Sequence, residues 1–334
     1  MAGKISVKGE IILPYLRKYP DIASRTLARM IMEENPNVWS NIDAVRNSIK
    51  MYRGSNGDKH RKIVRDEVFT SPFKNPQEYF EKIKAKKIGI DQYNFPHRKP
   101  LILSDIHFPY HAEDELLIAL EHGYKQGCDS IYLNGDVLDC HTISRFLKEG
   151  GAPSFNEERE MFWQFIEYVK SKWDVPIYYK LGNHEERWQH YLSRQVPELF
   201  DVADLKFENV MKFDEYGIVQ VEARQKVQMG KLIVIHGHEF GESVFSPVNP
   251  ARGLFLRAKS SVLAGHNHQT SEHHENNLKG DSLACFSVGC LCQLAPNYRP
   301  FAYTKWNHGF AIVGIDDDGS FEVDNYRIID KKVR

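Results

Sequence analysis

Five short apolar segments of this chain are each followed at once by Asp, Asn or His. Runs of this length and composition are typical of buried strands. In open α/β sheets, ligands bind at the edge where the carboxyl ends of the strands meet. We therefore expect five distant parts of the chain to meet in one polar site. The segments and the residues after them are Leu101–Ser104 with Asp105 and His107, Ser130–Asn134 with Asp136 and Asp139, Ile177–Leu181 with Asn183 and His184, Leu232–Ile235 with His236 and His238, and Ser261–Ala264 with His266 and His268.

The donor atoms at these strand ends are carboxylate and amide oxygens and imidazole nitrogens, with no thiolate. This mixture suits Mn²⁺, Fe or Zn²⁺ better than Ca²⁺ or a structural zinc site. One ion cannot use so many ligands, and a carboxylate shared between two ions is the natural arrangement. Two ions roughly 3.5–4 Å apart can hold a phosphate and generate hydroxide near neutral pH. The sequence predicts two divalent metal ions, with Mn²⁺ favoured and Fe, Zn²⁺ or Ni²⁺ as alternatives.

The order of the predicted elements indicates the fold class. Helical patterns at Glu113–Lys125 and Glu157–Trp173 alternate with the early strands. Strand patterns dominate later, at Ala284–Val288, Phe310–Ile315 and Phe321–Arg327. This α/β pattern, shifting toward β, predicts layered sheets with helices outside.

The N-terminal part of the chain differs from the rest in charge. Residues 1–65 carry 13 Lys and Arg against 6 Asp and Glu, although the whole chain is balanced at 44 against 45. Three short helices are predicted there, and this small basic all-α domain resembles a helix-turn-helix unit that binds nucleic acid. A helical bundle for protein contacts is the other interpretation. Residues 66–99 are predicted to be a linker, followed by the larger domain at 100–334. The basic residues on or just after the third helix are Arg46, Lys50, Arg53, Lys59, Arg61 and Lys62.

The cysteines bear on the compartment of the protein. They are an odd number without the spacing of a disulfide framework, and neither a secretory signal nor a run of roughly 20 apolar residues is evident. We therefore expect reduced thiols in a cytoplasmic protein that does not contact membranes. Alternation in a strand explains Cys290 and Cys292, which lack the two-residue gap of a zinc knuckle. The five cysteines are Cys128, Cys140, Cys285, Cys290 and Cys292.

The five polar blocks, from Asp105 to His268, resemble the signature of the calcineurin-like metallophosphoesterase superfamily. That signature is D-x-H, G-D-x-x-D, G-N-H-E/D, a single His and G-H-x-H, in this order, and the resemblance covers about residues 100–330. It implies a four-layer α/β/β/α sandwich with a dimetal site at the strand ends, and an enzyme that hydrolyses phosphate esters.

The resemblance also implies a role for each residue of the blocks. His184 would face the scissile phosphate and protonate the leaving oxygen, while Asp139 would hydrogen-bond the other nitrogen of His184. A metal-bridging hydroxide would attack phosphorus. Since His236 directly follows its strand, it is favoured as a ligand over His238. The implied ligands are Asp105, His107 and His268 for the first metal, Asn183, His236 and His266 for the second, and Asp136 for both.

One departure from the family pattern bears on the substrate. Cys140 and His141 follow Asp139, where the phosphoprotein-phosphatase branch has Arg-Gly. This departure favours the branch of nucleases and small phosphodiesterases. The candidate substrate-binding residues are Arg187, His141, Arg145 and His238, with Tyr110, His190, Arg252 and Arg257 as weaker candidates.

Three functions are compatible with the sequence. The first is a phosphodiesterase acting on nucleic acid, with a DNA nuclease favoured. The second is a phosphatase or phosphodiesterase for a small molecule or a protein, with the N-terminal domain as an interaction module. The third is a non-catalytic scaffold, against which the intact His184 argues. The sequence leaves open DNA against RNA, cleavage at ends against interiors, and the oligomeric state, for which a dimer is one option.

Overall fold

The chain folds into two compact units, Met1–Ile88 and Gly89–Arg334. Among the residues that the structure describes, no helix is long and apolar enough to cross a membrane. The predicted basic residues Lys59, Arg61 and Lys62 lie outside the described residues, as does most of the predicted linker. The structure is a computed structural model that describes residues 5–53, 92–146, 151–241, 248–295 and 303–334.

Three helices form the described part of the N-terminal unit, as the sequence predicts. The side chains of Ser6 and Asn41 each accept a hydrogen bond from a main-chain N–H in the first turn of the helix that follows them, and this fixes where those two helices begin. Apolar residues at helical spacing bury one face of each helix in a shared core. The helices are α1 (Val7–Lys18), α2 (Ser24–Glu34) and α3 (Ile42–Tyr52).

Arg53, at the end of α3, is used inside this unit. Its guanidinium donates hydrogen bonds to Ser24 Oγ at 2.8 Å and to the carbonyl oxygens of Pro20 and Ile22 at 3.1 and 2.6 Å. Partial burial lowers the pKa of Arg53 from its ordinary value. One of the basic residues predicted near the third helix therefore holds the α1–α2 turn to the end of α3.

The larger unit alternates strands with helices at first and consists mainly of strands later, as predicted. Its helices are α4 (Glu113–Lys125), α5 (Phe155–Lys172), α6 (Glu186–Gln195), α7 (Phe207–Val210), α8 (Phe213–Tyr216) and α9 (Pro250–Ala258), with 3₁₀ turns at Pro197–Leu199, Ala203–Leu205 and His238–Phe240. Its strands are β1 (Gln92–Asn94), β2 (Pro100–Leu103), β3 (Ser130–Asn134), β4 (Ile177–Lys180), β5 (Ile218–Val221), β6 (Lys226–Met229), β7 (Leu232–Ile235), β8 (Val262–Ala264), β9 (Ser271–Asn276), β10 (Ser282–Ser287), β11 (Gly309–Ile315), β12 (Phe321–Ile329) and β13 (Lys332–Val333).

The strands form two sheets. The larger sheet has the order β13-β12-β11-β2-β3-β4-β5, and the smaller has the order β1-β6-β7-β8-β10-β9. Within the larger sheet β2, β3 and β4 are parallel neighbours, and within the smaller sheet β7 and β8 are parallel neighbours. Each set therefore delivers the residues after its strands to one edge. These five strands are the ones predicted to carry the polar blocks.

The sheets pack face to face, with helices on both outer faces. Because side chains alternate between the two faces of a strand, Ile102 and Tyr132 of the larger sheet share one apolar core with Val234 and Leu263 of the smaller. The opposite face of the larger sheet is covered by α4 and α5, and that of the smaller sheet by α9. The predicted four-layer α/β/β/α sandwich is confirmed.

Five strands were not predicted, namely β1, β5, β6, β9 and β13, and two of these, β1 and β9, have polar sequences. Strand β1 lies within the segment 66–99 that was predicted to be a linker, and it pairs in parallel with β6. The C-terminal boundary predicted for the linker is therefore too late. Strand β9, with its adjacent His273 and His274, pairs with β10 at the edge of the smaller sheet and is largely exposed. Neither strand has the apolar alternation from which strands are predicted.

Candidate metal centre

The polar blocks meet at the strand ends with an unusual backbone. Asp105, His107, Asp136, His266 and His268 all adopt a left-handed conformation, with φ between 50° and 65°. For a residue with a side chain this costs roughly 1–2 kcal/mol, and such conformations cluster at functional sites. The turns that direct these five side chains inward therefore hold the backbone in an intrinsically unfavourable conformation.

Gly182 allows the third block to approach the second block closely. The Cα of Gly182 passes so near to Asp136 that an added Cβ would lie 2.3 Å from the Asp136 carboxylate oxygen. Only a residue without a side chain fits there, which explains the glycine at the start of the third block. The main-chain N–H of His184, two residues on, donates a hydrogen bond to Asp136 Oδ1 at 2.9 Å. The third block is thus held directly on the carboxylate of the second.

Asp136 lies at the middle of the cluster. Its Oδ2 atom is 3.2 Å from His236 Nε2, 3.7 Å from His184 Nε2 and 3.9 Å from His107 Nε2. The carboxylate is almost completely buried. Asp136 is therefore placed between imidazoles that come from both sheets.

The residues predicted for the first metal lie together on one side of Asp136. Asp105 Oδ1 is 3.2 Å from His268 Nε2, and His107 Nε2 is 3.3 Å from the same nitrogen. Asp105, His107 and Asp136 have ligand atoms within 4.8 Å of one another. Two imidazole nitrogens that face each other beside a carboxylate match the donor set of a divalent cation.

The residues predicted for the second metal lie on the other side. Ligand atoms of Asp136, His236 and His266 are within 4.8 Å of one another, and Asn183 Oδ1 is 3.2 Å from His236 Nε2. His266 Nδ1 is buried and has no hydrogen-bond partner among the residues described. A buried imidazole nitrogen without a partner is unfavourable unless another group binds it.

The electrostatics of the cluster favour positive charge at its centre. Burial alone would raise the pKa of Asp105 and Asp136, but the surrounding imidazoles outweigh it and lower both pKa values. Burial alone would lower the pKa of His236, but the neighbouring Asp136 and Asp105 raise it to about 10. For His266, burial and the nearby His236 lower the pKa to about 4. Ionised Asp105 and Asp136 carboxylates and a neutral His266 imidazole are the forms in which these groups bind divalent cations.

Asp139 contacts two histidines, which differs in detail from the expectation. Its carboxylate Oδ1 is 3.0 Å from His107 Nδ1 and 3.4 Å from His184 Nδ1. The closest partner of His184 Nδ1 is instead the main-chain carbonyl oxygen of Asp139, at 2.7 Å. Burial would raise the pKa of Asp139, but hydrogen bonds from both histidines lower it. The carboxylate thus orients His107 first, and the main chain orients His184.

Arg187 completes the surroundings of His184. Its Nη1 donates to the Asp139 carbonyl oxygen at 2.7 Å, and its Nη2 donates to His184 Nε2 at 2.8 Å. A guanidinium has donors only, so His184 Nε2 must accept. The proton of His184 is then on Nδ1, where it is donated to the Asp139 carbonyl. Of the predicted substrate-binding residues, Arg187 contacts His184 directly.

The other substrate-binding candidates lie in different places. His238 Nε2 is 3.5 Å from Glu186 Oε2, and the His238 ring lies 5.3 Å from the His236 ring. His238 is therefore next to the residues predicted for the second metal. Arg145 is exposed and lies over the ring of Phe146. Tyr110 N–H donates to the His107 carbonyl oxygen at 2.6 Å, which makes it part of the first turn. The remaining candidates are the half-buried His141, the exposed His190 on α6, and the exposed Arg252 and Arg257 on α9.

The sequence analysis assigned no role to Glu185. Its buried carboxylate accepts hydrogen bonds from the main-chain N–H groups of Asp136, Val137, Leu138 and Gly182, and from Tyr179 Oη. Burial and the nearby Glu185 raise the pKa of Tyr179 well above its ordinary value, so the phenol remains a donor. Glu185 therefore fixes the turn that carries Asp136. Its position as the last residue of the third block was the available signal.

An ion pair between the buried Lys180 and the half-buried Glu239 was also missed. Lys180 Nζ is 3.1 Å from Glu239 Oε1, and it also donates to the carbonyl oxygens of Ala223 and Gln225. Glu239 in turn accepts from the main-chain N–H groups of His236 and Gly237. Because Lys180 ends β4 and Glu239 follows β7, the pair joins the two sheets. A lysine inside an apolar strand gave no sign of this in the sequence.

Cys292 lies beside the residues predicted for the first metal. Its Sγ is 3.7 Å from His268 Nδ1, and Cys292, His107 and His268 form a further cluster of candidate ligand atoms. Cys290 and Cys292 lie after β10 in isolated bridges to His308 and His111, so strand alternation does not explain them. The thiol faces the ring nitrogen of His268 opposite the one that approaches Asp105.

Comparison with known proteins agrees with this geometry. Residues 98–291 match the family described as Calcineurin-like phosphoesterase, which is more than half of the chain. The Gene 54 proteins of Mycobacterium phages L5 and D29 are each 27% identical to this chain, over 229 and 230 residues that cover 66% of the chain and 89% of each relative. A metallophosphoesterase from Sphaerobacter thermophilus, a solved structure, is 18% identical with a TM-score of 0.35, and the match covers 71% of this chain and 91% of that one. The chain belongs to the calcineurin-like phosphoesterase family.

Proposed function

We propose that this protein is a metal-dependent phosphodiesterase that hydrolyses DNA. Its family supports a phosphoester hydrolase. The observation that carries the proposal is the buried Asp136 carboxylate between two groups of imidazoles, with His184 and Arg187 at its side. A non-catalytic scaffold has no need of that last pair, since neither residue is required to hold the cations.

The residues at the strand ends fit two divalent cations. When bound, such cations supply neutralisation of phosphate charge and an activated water for attack on phosphorus. The rest of the chemistry belongs to the chain. The residues that would hold the cations are Asp105, His107 and His268 on one side, Asn183, His236 and His266 on the other, and Asp136 in common.

Arg187 and His184 would act on the substrate. A guanidinium binds phosphate oxygens through two parallel hydrogen bonds. When Arg187 turns from His184 Nε2 to the phosphate, that nitrogen is free to hold a proton and to donate it to the leaving oxygen. The Asp139 carbonyl oxygen, 2.7 Å from His184 Nδ1, keeps the ring in place throughout.

The N-terminal unit supports a nucleic-acid substrate. Residues 1–65 carry 13 Lys and Arg against 6 Asp and Glu, and Arg25 and Arg29 are exposed on α2. Cationic side chains release counterions from a phosphate backbone, which gives binding that weakens as salt rises. The unit would thus hold the enzyme on a polyanion.

A substrate comparison tests the proposal. The full chain loaded with Mn²⁺ is assayed at low salt on duplex DNA, single-stranded DNA, RNA, bis(4-nitrophenyl) phosphate and 4-nitrophenyl phosphate, with Asp136→Asn as the inactive control. We expect hydrolysis of DNA and a preference for the aryl diester over the monoester. Hydrolysis of aryl diesters without any cleavage of DNA would refute the substrate assignment.

One observation favours a second function. Arg53 holds the α1–α2 turn and Arg46 lies 3.8 Å from Asp43, so part of the predicted basic surface is already engaged. An N-terminal unit for protein contacts, on a phosphatase or phosphodiesterase of a small molecule or protein, agrees with this. The same substrate comparison separates the two, because that enzyme would prefer the aryl esters.

A further inference from the structure

An exposed aromatic ring lies close to the arginine that contacts the candidate catalytic histidine. Phe146 is 55% exposed, which is high for a large apolar side chain. Two guanidinium groups lie near it, since Arg145 Cζ is 5.6 Å and Arg187 Cζ is 5.7 Å from the centre of the ring. Both distances are those of cation–π contacts. Phe146 is thus held in place while much of its surface remains available.

Arg187 links this ring to the reaction centre. The same guanidinium that lies over Phe146 donates to His184 Nε2 at 2.8 Å and to the Asp139 carbonyl oxygen at 2.7 Å. His184 is the group that would protonate the leaving oxygen. The part of the substrate attached to that oxygen would therefore lie on the Phe146 side.

An aromatic surface close to two cations matches the chemistry of a nucleotide. Nucleobases stack on aromatic side chains and on guanidinium planes without regard to sequence. The phosphates on either side of the base carry the charge that Arg145 and Arg187 complement. A phosphorylated serine or threonine, by contrast, has no ring that would use this surface.

We propose that Phe146, with Arg145 and Arg187, forms the subsite for the leaving nucleoside, whose base stacks on the Phe146 ring. This proposal rests on the function proposed above, and it names the substrate class as nucleic acid with an unpaired base next to the cleaved bond. Arg187 contacts the scissile phosphate, and Arg145 contacts the next phosphate on the leaving side.

The test removes the base rather than the phosphate. Thymidylyl-thymidine and its two abasic analogues, each lacking one base, are hydrolysed by the Mn²⁺-loaded full chain and by Phe146→Ala and Phe146→Trp. Removal of the leaving-side base should lower kcat/KM of the wild type by about five- to hundredfold, mostly through KM. Phe146→Ala should lose this preference, and Phe146→Trp should keep it. Phe200, an exposed phenylalanine outside the site, gives the control variant Phe200→Ala, which should behave as the wild type.

Two results would overturn the subsite. In one, Phe146→Ala retains the full preference for the base. In the other, it lowers hydrolysis of the abasic and base-bearing substrates equally. Failure of the proposed function gives a different pattern, in which the wild type hydrolyses bis(4-nitrophenyl) phosphate but none of the dinucleosides or DNA. That pattern refutes the DNA substrate and the nucleoside subsite together.

Discussion

Replacing Glu185 by Gln should strongly destabilise the protein. In the structure Glu185 Oε1 accepts from Val137 N, Leu138 N and Tyr179 Oη at 2.8–3.0 Å. Its Oε2 accepts from Asp136 N and Gly182 N at 3.0 and 2.8 Å. A glutamine keeps one acceptor oxygen, but its NH₂ group must face main-chain donors. At least two hydrogen bonds to a charged acceptor are then lost.

The structure sets the size of the effect. Each hydrogen bond to a charged group contributes about 1.5–3 kcal/mol, so the loss of two should lower the free energy of unfolding by roughly 3–6 kcal/mol. The affected donors belong to the turn of Asp136. We therefore expect weaker Mn²⁺ binding in addition to lower stability.

Urea unfolding followed by fluorescence measures the free energy, and metal analysis after dialysis measures binding. Glu167→Gln is the matched control, because Glu167 is exposed and accepts a hydrogen bond from Tyr216 Oη. This control should stay within about 0.5 kcal/mol of the wild type. A Glu185→Gln protein within about 0.5 kcal/mol of the wild type, where ordinary surface changes lie, would refute the account of Glu185.

Other perturbations test separate parts of the structure. Burial raises the pKa of Glu158 to about 8 in the folded protein, against about 4.5 in the unfolded chain, so the free energy of unfolding should fall as the pH rises from about 4.5 to about 8. Glu158→Gln removes this titration, so urea unfolding should show the variant gaining stability relative to the wild type across that range. A difference that stays constant with pH would contradict this. His236→Ala should lose metal and activity together, whereas His184→Ala should retain metal and lose turnover; metal content and kcat are measured on both, and metal loss in the His184 variant would contradict its role. Lys180→Met should lower the free energy of unfolding by up to about 3–5 kcal/mol, the cost for a fully buried pair, because the half-buried Glu239 carboxylate loses its cation. The further change Glu239→Gln should recover part of the loss in the same urea unfolding, and no recovery would show that the charge is not the cause.

The convergence of the polar blocks could be predicted because two signals coincide in the sequence. Apolar runs mark β2, β3, β4, β7 and β8, and a polar residue follows each of them. Parallel strands bring such residues to one edge, so no knowledge of individual contacts was needed. The same reasoning failed for β1 and β9, since polar edge strands depend on their pairing partners for their structure.

The supporting residues could not be predicted, since their roles depend on which turns meet in space. Glu185 serves a turn that lies almost fifty positions earlier in the chain, and Lys180 serves one after β7. The side chain of Asp139 was expected on His184, yet it lies closer to His107. Which histidine Asp139 approaches depends on the positions of the backbone segments that carry His107 and His184 to within a few tenths of an ångström. The residue types alone do not determine those positions.

The divided origin of the centre has a mechanical consequence. Asp105, Asp136 and Asn183 follow strands of one sheet, whereas His236 and His266 follow strands of the other. Cations bound by these residues would therefore link the two sheets across their interface. Removal of the cations by a chelator should weaken the interface between the sheets before either sheet unfolds. Amide protons along β7 and β8 should then exchange faster, while those of β3 remain protected.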